Sequence, residues 1–111
     1  MQVTIEISED NVNVTLEALK DAKTRALMKC GAMAENYAKQ DTPVDTGRLR
    51  NSIAHEMEDD NTVDIGTDVE YAIYQELGTS RGVPEHRFLT NGVRDHIDEY
   101  QQIIENELRN S

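Results

Sequence analysis

Aromatic side chains are scarce in this 111-residue chain, which has one Phe, four Tyr and no Trp. The core must therefore be aliphatic and filled by Met, and so small a core often gains stability from neighbours. The length suits one domain, residues 1–111, with little to spare. A single cysteine, Cys30, excludes an internal disulfide and a cysteine-built zinc cluster. No apolar stretch approaches the ~20 residues of a membrane span. No basic region precedes an apolar run at the N-terminus, so the expectation is a chain made and folded in a cytoplasm. Positive charge is also in short supply: 11 Lys and Arg stand against 22 Asp and Glu, a net charge of −11. An acidic chain repels phosphate, which argues against a conventional DNA-binding role.

The charge is unevenly placed. Between positions 55 and 80 lie Glu56, Glu58, Asp59, Asp60, Asp64, Asp68, Glu70 and Glu76, with no Lys or Arg, whereas residues 14 to 54 are net basic. Such a run reads as a solvated face, or as a surface past which DNA slides without sticking.

Several stretches carry clear periodicity. Val3, Ile5 and Ile7 alternate with polar residues, as a half-buried strand does. Asn11 or Asn13 suits the cap of a following helix. From about Val14 to Gln40 the pattern is helical, with Leu16, Leu19, Ala26, Cys30, Met33 and Tyr37 on one stripe, widened by Ala22, Leu27, Ala34 and Ala38. Asp21 with Arg25, and Glu35 with Lys39, form acid-first pairs four apart. Gly31 costs roughly 1 kcal/mol there relative to Ala, and marks a close backbone contact. Pro43 ends the helix. Ile53, His55 and Met57 alternate, as do Val63 and Ile65, around a polar turn at Asp59, Asp60 and Asn61: a hairpin. Tyr71 to Leu77 reads as a short helix with Tyr71 and Tyr74 facing the core and Gly78 as its left-handed cap. A last helix from about Thr90 carries Val93, Ile97, Tyr100, Ile104 and Leu108. The sum is α+β: a small antiparallel sheet packed against one long N-terminal helix and a C-terminal helix, with a short helix between.

Catalytic and ligand-binding motifs are hard to find. The 79–87 loop has no Lys after Gly82 and so is no phosphate cradle. Asp59, Asn61 and Glu70 take positions one, three and twelve of a calcium loop, but Asp64 stands where Gly is needed. His55, His86 and His96 have no metal-ligand spacing, and Cys30 on an apolar stripe reads as a small buried hydrophobe. No cofactor, metal or small-molecule substrate is expected, and no enzyme.

Two blocks remain. Pro43 to Ile53 reads PVDTGRLRNSI, and Tyr71 to Thr79 reads YAIYQELGT. In the first, Asp45 and Thr46 can cap a turn of helix beginning near Gly47, leaving Leu49 for the core and Arg48 and Arg50 unassigned. Glu76 either accepts hydrogen bonds from the following loop or pairs with Arg48 or Arg50, in its own or a neighbouring subunit. Together the blocks resemble the small head–tail joining, or tail-completion, proteins of long-tailed bacteriophages. Leu77 departs mildly, standing where an aromatic is frequent. The resemblance implies a structural virion protein at the neck, forming a ring with its own copies beside neighbouring neck and tail-tube proteins. It favours structural roles for Pro43, Asp45, Thr46, Gly47, Leu49, Tyr71, Ala72, Glu76, Gly78 and Thr79, and makes the corner of Arg48 and Arg50 part of the subunit contact. Glu76, Thr79, Arg81 and Arg87 are further contact candidates, with the 79–87 loop docking on a neighbour. Glu56, Glu58, Asp59, Asp60 and Asp64 would then face the lumen. The rival reading is an acidic DNA mimic that occupies a nucleic-acid enzyme. Its support is charge alone, and these acids cluster at a hairpin instead of spacing out like phosphates.

Overall fold

The computed structural model describes residues 1–7, 17–42, 47–78, 80, 82 and 85–109, with side chains from residue 20 onward in the first helix. The expected caps Asn11 and Asn13, the start of the long helix at Val14 and Leu16, and Pro43, Asp45, Thr46, Thr79 and Arg81 lie outside these residues. So does the side chain of Leu19. In chain order the elements are β1 (Gln2–Glu6), α1 (Glu17–Asp41), α2 (Arg48–Ser52), β2 (Ala54–Asp59), β3 (Thr62–Gly66), α3 (Ala72–Leu77), α4 (Phe88–Arg94) and α5 (Ile97–Arg109). The fold is α+β, as its periodicities indicate.

The three strands form an antiparallel sheet in the order β1-β3-β2. Register puts Val3, Ile65 and His55 in one row and Ile5, Val63 and Met57 in the next, so these six share the face turned toward α1. The intervening row is Thr4, Asp64 and Glu56, on the opposite face. The register shifts between Met57 and Asp59, so Glu58 sits in a bulge.

Along α1 the residues Ala22, Ala26, Cys30, Gly31, Ala34 and Ala38 are all buried. Their small size lets other backbones come close. A Cβ on Gly31 would meet Val63 Cγ2 at 2.8 Å and His55 Cδ2 at 3.0 Å, so the contact is tight as expected but is made with hairpin side chains instead of backbone. On the other side, a Cβ on Gly92 of α4 would meet the Ala34 carbonyl oxygen at 3.2 Å. Phe88, the only Phe, is fully buried with Leu27, Leu89, Ile53, Ile65 and Val63 in the same core. Burying each such side chain contributes about 1.5–3 kcal/mol.

The structure corrects four expectations. The C-terminal helix is two helices, broken at Asp95 and His96. α4 follows the path Gly92 fixes against α1, and the break lets the Tyr100 ring turn inward and its hydroxyl donate to the Gly92 carbonyl. Ile97 is thereby left 45% exposed. Secondly, Tyr74 does not face the core: Ala72 and Glu76 take the buried side of α3, and Tyr74 is 56% exposed. Thirdly, Gly78 is not a left-handed cap. Its φ of 75° is positive but its ψ is 177°, an extended conformation open essentially to glycine alone. Finally, Arg25 reaches not Asp21 but Glu107 on α5, at 3.4 Å, whereas Lys39 does pair with Glu35, at 3.1 Å.

Candidate assembly interface

α2 begins after Gly47, whose φ of 78° is the left-handed geometry that glycine adopts without a Cβ penalty. This turn buries Leu49 and leaves Arg48 and Arg50 exposed. The two arginines are two residues apart on a helix, so they do not share a face. Arg48 turns toward α3, where its guanidinium lies 5.5 Å from the Tyr71 ring centre and 3.4 Å from Glu70. The Glu70 carboxyl is held below its usual pKa by a backbone hydrogen bond and then by Arg48. No ion pair to Arg50 is present among the described residues.

Glu76 is not part of any exposed surface. It is fully buried and accepts the backbone N–H of Leu89 at 2.9 Å and the hydroxyl of Thr90 at 2.7 Å. These donors belong to the first turn of α4, where N–H groups lack partners within the helix. Glu76 thus caps α4 from a different helix, and its pairing with Arg48 or Arg50 and its expected place at a subunit contact are both overturned by burial. Arg87 precedes the same turn and pairs locally with Glu85 at 3.2 Å. Tyr71 is half-buried beside Arg48, and Ala72 is fully buried.

The acidic residues gather on the sheet face turned away from α1 and at the hairpin tip. Glu56, Glu58, Asp59 and Asp60 are exposed and Asp64 is half-buried. The bulged Glu58 shares a hydrogen bond with Asp64, which raises its pKa, and the charges of Asp64, Asp59 and Glu6 add to the shift. Only Asp60 has a basic partner among the described residues: Lys20 of α1, at 3.5 Å.

A set of polar contacts along α1 escaped sequence reasoning. His55 Nδ1 lies 2.9 Å from Glu35, and His86 Nε2 lies 3.2 Å from Asp41. His96 stacks on Tyr37 with ring centres 3.5 Å apart, while the Tyr37 hydroxyl donates to Glu99. The three histidines thus tie three parts of the chain to the same helix: β2, the segment before α4, and the turn between α4 and α5. Burial alone would raise the Glu35 carboxyl, but hydrogen bonds from His55 and Lys39 outweigh it and the pKa falls. Burial pushes the Cys30 thiol up to about 11, consistent with a packing role. No group of three or more His, Cys, Asp or Glu side chains suited to a metal is present among the described residues. No helix among them is long and apolar enough to cross a membrane.

Comparison with known proteins gives one match. The family described as "Bacteriophage HK97-gp10, putative tail-component" matches residues 9–78. Searches of curated proteins and of solved structures found no match. The matched span takes in more than half of the chain, from before the long helix through the buried Glu76. The chain belongs to the HK97-gp10-like family of bacteriophage tail components.

Proposed function

We propose that this tail component assembles into a ring at the phage neck, coaxial with the DNA channel, and there completes the tail or joins it to the head. As a member of a tail-component family the protein is a structural part of the virion. Its role in the ring is geometric: contacts between unlike patches on successive copies, closed by rotational symmetry.

The observation that carries this reading is the one-sided sheet. One face packs on α1, while the other presents Glu56, Asp64 and Glu6 across three strands, with Glu58 and Asp59 beside them. Like charges placed opposite one another across strands destabilise a sheet. Their concentration on the face turned away from α1 fits a wall along which DNA passes without adhering. Arg50 and Arg87, with Thr79 and Arg81 of the following loop, supply contacts to copies or to neighbouring neck and tail-tube proteins.

Removing the gene tests the placement. Lysates should contain DNA-filled heads and separate tails that do not join, or tails of abnormal length, visible by electron microscopy. A normal yield of complete virions overturns the reading.

A further inference from the structure

A strand offers its backbone N–H and C=O groups to one side and then the other, residue by residue. In this sheet the Asn61 carbonyl accepts from Ile7 and the Thr67 N–H donates to Met1, so the odd-numbered residues along β3 bond to β1. Asp64 and Gly66 therefore bond to β2, through their partners Glu56 and Ala54. The same alternation turns Gln2, Thr4 and Glu6 to the outer edge of β1, and His55 and Met57 to the outer edge of β2. α1 and α4 both contact β1, yet among the described residues nothing hydrogen-bonds to these outward backbone groups. Unpaired edges are templates for another strand, and neither β1 nor β2 contains the Pro or Lys that commonly blunts one.

We infer that the two edges meet across subunits, β1 of one copy beside β2 of the next, so that the sheet runs on around the ring. The inference rests on the ring reading and names its contact.

Direction and register identify the occupant. β1 and β2 are each antiparallel to β3 and so parallel to one another. A copy carried round by rotation keeps that direction, and the new pair is parallel. In a parallel pair each bonding residue reaches the two residues that flank its opposite number. With Thr4 opposite Glu56, the Thr4 N–H donates to the His55 carbonyl and the Thr4 carbonyl accepts from the Met57 N–H. The Gln2 carbonyl then accepts from the His55 N–H, and the Glu6 N–H donates to the Met57 carbonyl. Every outward group of His55 and Met57 is used. The faces agree as well. Thr4 and Glu56 already share the side turned away from α1, so the acidic face continues from copy to copy.

Packing points the same way. Val63 and Ile65 of the central strand are fully buried, whereas Val3 and Met57 at the two edges are half-buried. The pairing sets Val3 and Ile5 beside His55 and Met57 of the neighbour and extends their cover. Like charges meet at one end only, where Glu6 nears the bulged Glu58. Symmetric pairings do less. β2 set against its own copy, with His55 bonded to Met57, opposes Glu56 with Glu56. β1 set against its own copy leaves β2 bare in every subunit. The unlike pair satisfies both edges, and being head-to-tail it repeats until rotation closes it.

Oxidation of paired cysteines in phage particles tests the contact. Within one subunit β3 separates Thr4 from Glu56 by two strand spacings, about 10 Å, beyond the ~7 Å reach of a disulfide. Cys30 is fully buried and stays silent. Particles carrying Thr4→Cys and Glu56→Cys in the same chain should give a ladder of dimers, trimers and higher multiples on mild oxidation, and reduction should return it to monomer. Gln2→Cys with Ala54→Cys, in the same register, should behave alike and serves if the first pair is excluded from particles. Each substitution alone should give monomer. A dimer from Thr4→Cys or Glu56→Cys alone would mean a symmetric edge and overturn the proposal. Particles that contain a double variant yet yield no ladder overturn the contact while leaving the ring reading intact. Absence of the wild-type chain from particles overturns the ring reading and this contact with it.

Discussion

Replacing Glu76 tests how α3 and α4 are joined. Its carboxylate is fully buried and accepts two hydrogen bonds, from the Leu89 N–H at 2.9 Å and the Thr90 hydroxyl at 2.7 Å. A hydrogen bond to a charged group contributes about 1.5–3 kcal/mol, and a buried donor stripped of its partner adds its own desolvation cost. Glu76→Ala removes the acceptor for both donors and leaves a hole, so the expected loss is about 3–5 kcal/mol. That is a large share of the roughly 5–15 kcal/mol that holds a domain together. Glu76→Gln keeps the shape and one acceptor oxygen for Leu89, and the Thr90 hydroxyl can turn to accept from the new amide. Its cost should be only about 1–2 kcal/mol. Urea unfolding followed by circular dichroism measures both, and an unchanged slope would show that only stability has moved. An alanine variant within about 1 kcal/mol of wild type, or a glutamine variant as damaged as alanine, would refute the cap.

Three further outcomes are expected. Gly31→Ala should destabilise although alanine is the better helix former by about 1 kcal/mol. The new methyl would stand 2.8 Å from Val63 Cγ2, and a stability gain in denaturant melts would mean that the α1–hairpin seam is looser than described. Glu35→Gln should reduce stability at neutral pH, because the native carboxyl has a lowered pKa and its ionised form is favoured by His55 and Lys39. That contribution is present above the unfolded pKa of about 4.3 and is lost as pH falls through the lower native value, so wild type and variant should converge in acid; a constant gap across pH would refute it. Replacing Glu56, Glu58 and Asp59 with Lys should leave assembly intact, since exposed charges contribute little to stability, yet slow genome ejection at low salt and less so at high salt. Ejection kinetics identical to wild type at every salt concentration, followed with a DNA dye, would remove these acids from the lumen.

Much of this architecture is written in local periodicity. The alternation from Ile53 to Ile65 specifies a hairpin because cross-strand neighbours are near in sequence. Gly31 announces a close contact because nothing else justifies glycine inside a helix. Glu76 shows where such reading stops. That a loop hydrogen-bonds to it is legible, but its donors lie thirteen and fourteen residues on, across the 79–87 loop, and no pattern says that α4 begins there. The break at Asp95 and His96 is hidden similarly, since Val93, Ile97 and Tyr100 keep helical spacing through it. It shows only in three dimensions, where Gly92 crosses close over α1 just before the turn. Tyr74 misleads because an exposed apolar residue and one that faces a core look identical in sequence. The candidate interface was half legible. The block with Arg48 and Arg50 was visible, but not that they point apart, nor that Arg48 belongs to Glu70 and Tyr71.

The small-residue stripe of α1 also has a mechanical consequence. Every strand, together with α2, α4 and α5, contacts this one helix. Gly31 packs directly on the Val63 and His55 side chains of the hairpin, and at Gly92 the backbones of α1 and α4 come nearly into contact. Close-packed interiors compress very little. A push on the acidic hairpin therefore passes into a single axis about 37 Å long, and the domain bears load as a strut instead of deforming as a cushion.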